Sequence, residues 1–138
     1  MDTVALTIIT LVIIAIILIV VVLNILQNSK NKKMKDLIDK LEVEKNVLDS
    51  TPIIPELAKV ESYLKNEKME VMYNDWKERL ENIKNIQIPK ITDMIIETEY
   101  SLSQLDHKAT MYKIAKLEME IYKVRTNSEF LLNEIKDI

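Results

Sequence analysis

Apolar positions in this chain are continuous at first and periodic afterwards. Residues 4–26, VALTIITLVIIAIILIVVVLNIL, run for 23 positions without a charge, and only Thr7, Thr10 and Asn24 are polar. At the helical rise of 1.5 Å per residue the run spans about 34 Å, enough for a hydrocarbon core of roughly 30 Å. Its Ile and Val would suit a buried strand, but the length exceeds an ordinary strand and the bilayer interior enforces helix. A cleavable signal peptide would carry a basic start, a shorter apolar core and a small-residue cleavage site, none of which is present. The pattern therefore predicts a transmembrane anchor unit over 1–29, with 4–26 as the span.

From Lys30 the pattern turns helical and amphipathic. A juxtamembrane helix is predicted over 30–50, with Met34, Leu37, Ile38, Leu41 and Leu48 on one side and Glu44 and Lys45 interrupting the stripe. Pro52 and Pro55 in DSTPIIPE stop it, and Pro55 suits the first position of the following helix. Residues 51–138 then read as a helical region with helices near 56–66, 69–87, 89–105 and 108–138. Leu57, Val60 and Leu64 form one stripe. Met69, Tyr73, Trp76, Leu80 and Ile83, spaced 4, 3, 4, 3, form another that is out of phase with it, which predicts a break near Asn66–Lys68.

Pro89 is expected to end that helix and open the next, whose stripe is Ile91, Ile95, Leu102 and Leu105. LDHKAT is a weak joint with Asp106 as the expected N-cap. Beyond it Ile114, Leu117, Ile121, Val124, Ser128, Leu131, Ile135 and Ile138 repeat at 3, 4, 3, 4, 3, 4, 3, a heptad register whose one polar member is Ser128. The pairs Asp36 with Lys40, Glu61 with Lys65, and Asp75 with Arg79 have the favourable acid-before-base order at i, i+4. Together these stripes predict an all-α protein, a single N-terminal transmembrane helix followed by an elongated antiparallel helical bundle or coiled coil. Isolated helices of this length are marginal in water, so the stripes must bury one another or meet a partner, and self-association is one outcome. Trp76, the only tryptophan, belongs to a stripe, so Tyr73, Trp76, Leu80 and Pro89 are expected to be packing anchors between antiparallel helices rather than a ligand platform.

Charge fixes the orientation of this plan. Lys30, Lys32, Lys33 and Lys35 crowd the C-terminal side of the apolar run, whereas the N-terminal side offers only Asp2. The positive-inside rule then places the body in the cytoplasm, N-out and C-in, with the lysine cluster topogenic and facing lipid headgroups. Overall the chain is acidic, with a formal net charge of −3, which argues against a nucleic-acid partner.

Candidate chemistry is sparse. The chain has no Gly, so neither a P-loop nor a dinucleotide fingerprint can be written in it, and almost no position is expected to need a positive φ. It has no Cys, so thiolate metal sites, thiol nucleophiles and disulfides are excluded. His107, the only histidine, shows no nucleophile or histidine-kinase helix around it and reads as a surface residue. Glu97 with Glu99, and Glu118 with Glu120, lie two apart and point to different helix faces, so neither pair makes a metal site. Of the seven methionines, Met69, Met72, Met94, Met111 and Met119 read as adaptable packing residues rather than as a binding groove. No metal, cofactor, small-molecule substrate or enzymatic activity is expected.

In order along the chain, the apolar anchor, KKMKDLIDKLEVEK, PELAKVESYL, MYNDWKERLENIKNIQIPKITDMIIETE and KIAKLEMEIYKVRTNSEFLLNEI resemble the N-terminal part of the EzrA family, the septation ring formation regulators of Firmicutes. Tyr73, Trp76, Pro89, Lys90 and Ile91 carry the most specific part of this likeness. The resemblance implies spectrin-like helical repeats on a single membrane anchor. It also implies binding to FtsZ and other division proteins at the septum, restraint of ring assembly, and a link between the ring and wall synthesis. Two features depart from the family. Leu80 stands where members commonly carry a second Trp, and members are several times longer, with a C-terminal signature patch that is missing here. The heptad reaches Ile138 without a stop signal, which leaves a fragment of a longer frame and a short relative both open. The rival expectations are a membrane-anchored coiled-coil scaffold unrelated to division and the stem of a sensor.

Overall fold

The computed structural model describes residues 2–49, 53–62 and 64–137, and all regular structure among them is helical. Pro52 and Ile138, both singled out above, lie outside the described residues. Helix α1 runs unbroken over Thr3–Asp49, 47 residues, so the apolar run and the juxtamembrane helix are one element. Residues 6–26 are all exposed, with His107 of the last helix approaching only their final turn at Leu23 and Leu26. The hydroxyls of Thr7 and Thr10 donate back to the carbonyls of Thr3 and Leu6 at 2.9 Å, which satisfies these polar groups within the helix, as a hydrocarbon surrounding demands. This is one helix long and apolar enough to cross a membrane.

Below it follow α2 (Ile53–Glu61), α3 (Glu67–Asn82), a π-helical turn (Ile83–Gln87), α4 (Ile88–Ser103) and α5 (His107–Lys136). They pack as three columns. The lower half of α1, continued by α2, is the first; α3, the π turn and α4 form the second; α5 is the third. α1 packs on α4 and α5, while α2 packs on α3 and α5. His107 meets Asn31 near the top of the bundle and Arg125 meets Glu44 further down, so α5 runs in the same direction as α1 and the middle column runs against both. The body is thus closed on itself, with Ile38, Ile53, Val60, Ile91, Leu117, Ile121, Val124 and Leu131 nearly or fully buried between the columns. Each such side chain contributes about 1.5–3 kcal/mol on removal from water.

Pro89 stands in the first turn of α4, as expected of a residue that opens a helix, but no break precedes it. The chain stays helical from Glu67 to Ser103, and Pro89 is exposed rather than a packing anchor. Two constraints meet just before it. Proline lacks the N–H that a regular helix would use and its ring crowds the carbonyl four residues back. The buried positions also step from Ile83 to Ile88, five apart instead of four. One π turn resolves both: the N–H of Ile88 donates to the carbonyl of Ile83, five residues back, and the extra residue keeps the α3 and α4 stripes on one face.

Three further expectations change. α2 starts at Ile53 and stops at Glu61, earlier than 56–66, because its stripe begins with the buried Ile53 and a turn follows in which Ser62 bonds the carbonyl of Lys59. Pro55 therefore sits third rather than first, still within the turn whose N–H groups need no helical partner. Lys65 lies beyond that end, so Glu61 and Lys65 do not share a helix; Asn66 caps α3, its side chain accepting from the N–H of Met69 at 2.9 Å. Leu37 and Leu105, both assigned to stripes, are exposed, Leu37 at the edge of the α1 seam and Leu105 in the α4–α5 turn.

That turn contains the one positive φ among the described residues, Leu105 at 58°. The N–H of Asp106 donates to the Ser101 carbonyl and the N–H of Leu105 to the Leu102 carbonyl, the paired bonds of a Schellman motif. Glycine usually holds this left-handed position, and a leucine there costs about 1–2 kcal/mol.

Candidate functional site

Two places in the bundle concentrate polar chemistry, one at each end. At the far end Trp76 is only 3% exposed, on the stripe of α3 that faces α5. Its Nε1–H donates to Oε2 of Glu134 at 3.2 Å, and the same oxygen accepts from the Arg79 guanidinium. Asp75, one turn before Arg79, adds a second carboxylate at 3.6 Å. The Arg79 hydrogen bond is the main cause that holds the Glu134 carboxyl below its ordinary range; burial opposes it, while the Arg79 charge and the Trp76 hydrogen bond add to it. Arg79 is raised in turn, first by its hydrogen bond to Glu134. Tyr73, half-buried one turn earlier, has its phenol pushed up by burial and then by Glu61. Leu80 is buried beside them. The indole is a packing anchor with its polar edge satisfied, which leaves no open face for a ligand.

The heptad members Ile114, Leu117, Ile121, Val124, Ser128, Leu131 and Ile135 are all buried along α5, and Thr110 extends the seam by one more step. The hydroxyl of Ser128 is buried with no hydrogen-bond partner. The flanks of this seam were not singled out by sequence. Lys113, Glu120 and Glu134, spaced by seven and fourteen, reach the middle column at Ser101 (2.6 Å), Lys90 (3.4 Å) and Arg79; Arg125, on the other flank, reaches Glu44 of α1 (3.4 Å). The heptad frame carried the signal, because these are its g and e positions, where cross-helix polar contacts form.

At the opposite end, Lys30, Lys32, Lys33 and Lys35 are exposed on α1 in the turns that follow the apolar run. His107, expected at the surface, is half-buried: its Nε2 is hydrogen-bonded to Asn31 Oδ1, and it shares a cleft with Leu23, Leu26, Gln27 and Lys30. The bundle near this end is polar inside. Thr98 and Thr110 are fully buried and bond the carbonyls of Met94 and Asp106, and Ser101 accepts from Lys113. No group of acidic, histidine or cysteine side chains that could hold a metal ion occurs among the described residues.

The outer face of α5, away from the seam, exposes Tyr112, Met119, Tyr122 and Phe130, each more than 60% accessible. These positions recur at helical spacing opposite the buried stripe, a pattern that a search for core residues passes over.

Fold and sites together define a helical protein with one helix long and apolar enough to cross a membrane. The chain matches no family model, no curated protein and no solved structure.

Proposed function

We propose that this protein is a membrane-anchored helical regulator of bacterial cell division that acts by binding, holding FtsZ polymers near the membrane and restraining their assembly into a ring. The observation that carries the anchored part is the continuity of α1, which passes from 23 uncharged residues into the bundle core without a break. The four lysines beyond the span support a cytoplasmic body. The division role rests on the resemblance of the Tyr73 to Ile91 segment to EzrA, and the three-column packing is compatible with one spectrin-like repeat. The exposed Tyr112, Met119, Tyr122 and Phe130 supply apolar contact area of the kind protein-binding surfaces use.

The test uses the full chain reconstituted in lipid vesicles and mixed with FtsZ polymers. Vesicles carrying the protein are expected to cosediment with the polymers, and a fluorescent fusion is expected at division sites. Self-association without cosedimentation, together with an even distribution over the membrane, would instead identify a coiled-coil scaffold unrelated to division.

A further inference from the structure

We infer that the α4–α5 turn is a second membrane contact, with Leu105 seated in the bilayer interface beside the anchor helix. This rests on α1 crossing the membrane. Depth comes first. Asn31 lies five residues beyond Leu26, about 7.5 Å along the helix, which is the outer edge of a polar headgroup layer about 5–7.5 Å thick on each side of the hydrocarbon. The hydrogen bond between His107 and Asn31 ties the start of α5 to that level. The cleft that His107 shares with Leu23 and Leu26 brings it alongside the last turn of the span itself. The turn preceding His107 is therefore held at the membrane surface by the fold.

The identity of the residue at the tip points the same way. The turn between α4 and α5 is closed by backbone hydrogen bonds, and the two positions that usually add an apolar contact across such a turn are Ser101 and Asp106. A leucine in the left-handed position is thus not needed to close it, yet Leu105 is there and 49% exposed. Leucine at this depth gains by entering the apolar edge of the interface, as interfacial helices do with their apolar residues. Lys32 and Lys35 line a cleft with Leu105, and Lys30 lines one with His107; with exposed Lys33 and Lys108 they outnumber the exposed Asp36, Asp39, Glu99 and Asp106 of the same segments and complement an anionic leaflet.

The chain has no cysteine, so single labels report cleanly. Full-length variants Ile13→Cys, Leu105→Cys, Gln104→Cys and Met119→Cys, each carrying an environment-sensitive fluorophore, are placed in nanodiscs with and without brominated lipid. Labels at 13, 104 and 105 are expected to be quenched at least twofold more than the label at 119. Adding Leu105→Gly to the Gln104→Cys chain is expected to reduce quenching at 104 by at least half, and since glycine suits the left-handed position, this variant keeps its fold. Quenching at 13 with labels at 104 and 105 behaving like 119 overturns the proposal and leaves the anchor standing. A label at 105 shielded from water but unquenched by lipid also overturns it, because a protein surface would then cover the tip. Loss of quenching at 13 removes the anchor reading and this contact together.

Discussion

Glu134 is the residue on which the far end of the bundle turns. Its carboxylate joins the indole of Trp76 and the guanidinium of Arg79, two groups that sequence spacing places on α3 but cannot connect to α5. Both side chains of the ion pair are more than a third exposed, so its worth lies in the surface range of about 0.2–1 kcal/mol. Because the folded pKa of Glu134 is depressed, its contribution is present above the ordinary carboxylate range and is lost as pH falls through the lowered value. Glu134→Gln is expected to lower the unfolding midpoint by a few degrees at pH 7. The difference from the parent should shrink as the pH drops below about 4, a range set by the ordinary glutamate pKa. Thermal denaturation followed by circular dichroism across that range checks it, and a gap that widens in acid would contradict the assignment.

At the scale of elements, α5 organises the bundle. Its seam was legible because a 3, 4 repeat sustained for eight positions has few other solutions, whereas its partners depend on which columns lie on its two flanks. The middle column shows the reverse case. Proline and a phase change in the stripe looked like a joint, and a single π turn absorbed both because Trp76, Ile83, Ile88 and Ile91 all have to face the same neighbours. Removing the exposed Ile86 together with Pro89→Ala should restore a regular step of four and convert the segment to continuous α-helix. The expected thermal midpoint lies within a few degrees of the parent. Deleting exposed Glu97 instead rotates the end of α4 by about 100° against its partners and should lower the midpoint sharply. Equal damage from both deletions would show that the π turn is not what sets the register.

At the scale of the molecule, the basic collar and the bundle meet at one level. The four lysines stay exposed, and His107 joins the top of the bundle to α1 just below the apolar run. The collar is expected to set orientation. Replacing Lys30, Lys32, Lys33 and Lys35 with Gln leaves the span intact but removes the charge asymmetry, so a mixture of orientations should appear. Accessibility of a cysteine placed at Met119, probed from each side of the membrane with an impermeant thiol reagent, measures the ratio. An unchanged single orientation would show that the collar is not topogenic.

The sequence by itself determined the helical class, the membrane-length run and the buried stripe of α5, because length, uncharged continuity and period are local properties of the chain. The Trp76 packing position was legible for the same reason. Tertiary structure alone decided that Pro89 lies within a helix, that Leu105 is held outward in a left-handed turn, and that His107 docks on Asn31. Each of these depends on a contact or a register set between columns, and residues as far apart as 31 and 107 carry no mutual signal until the folded chain brings them together.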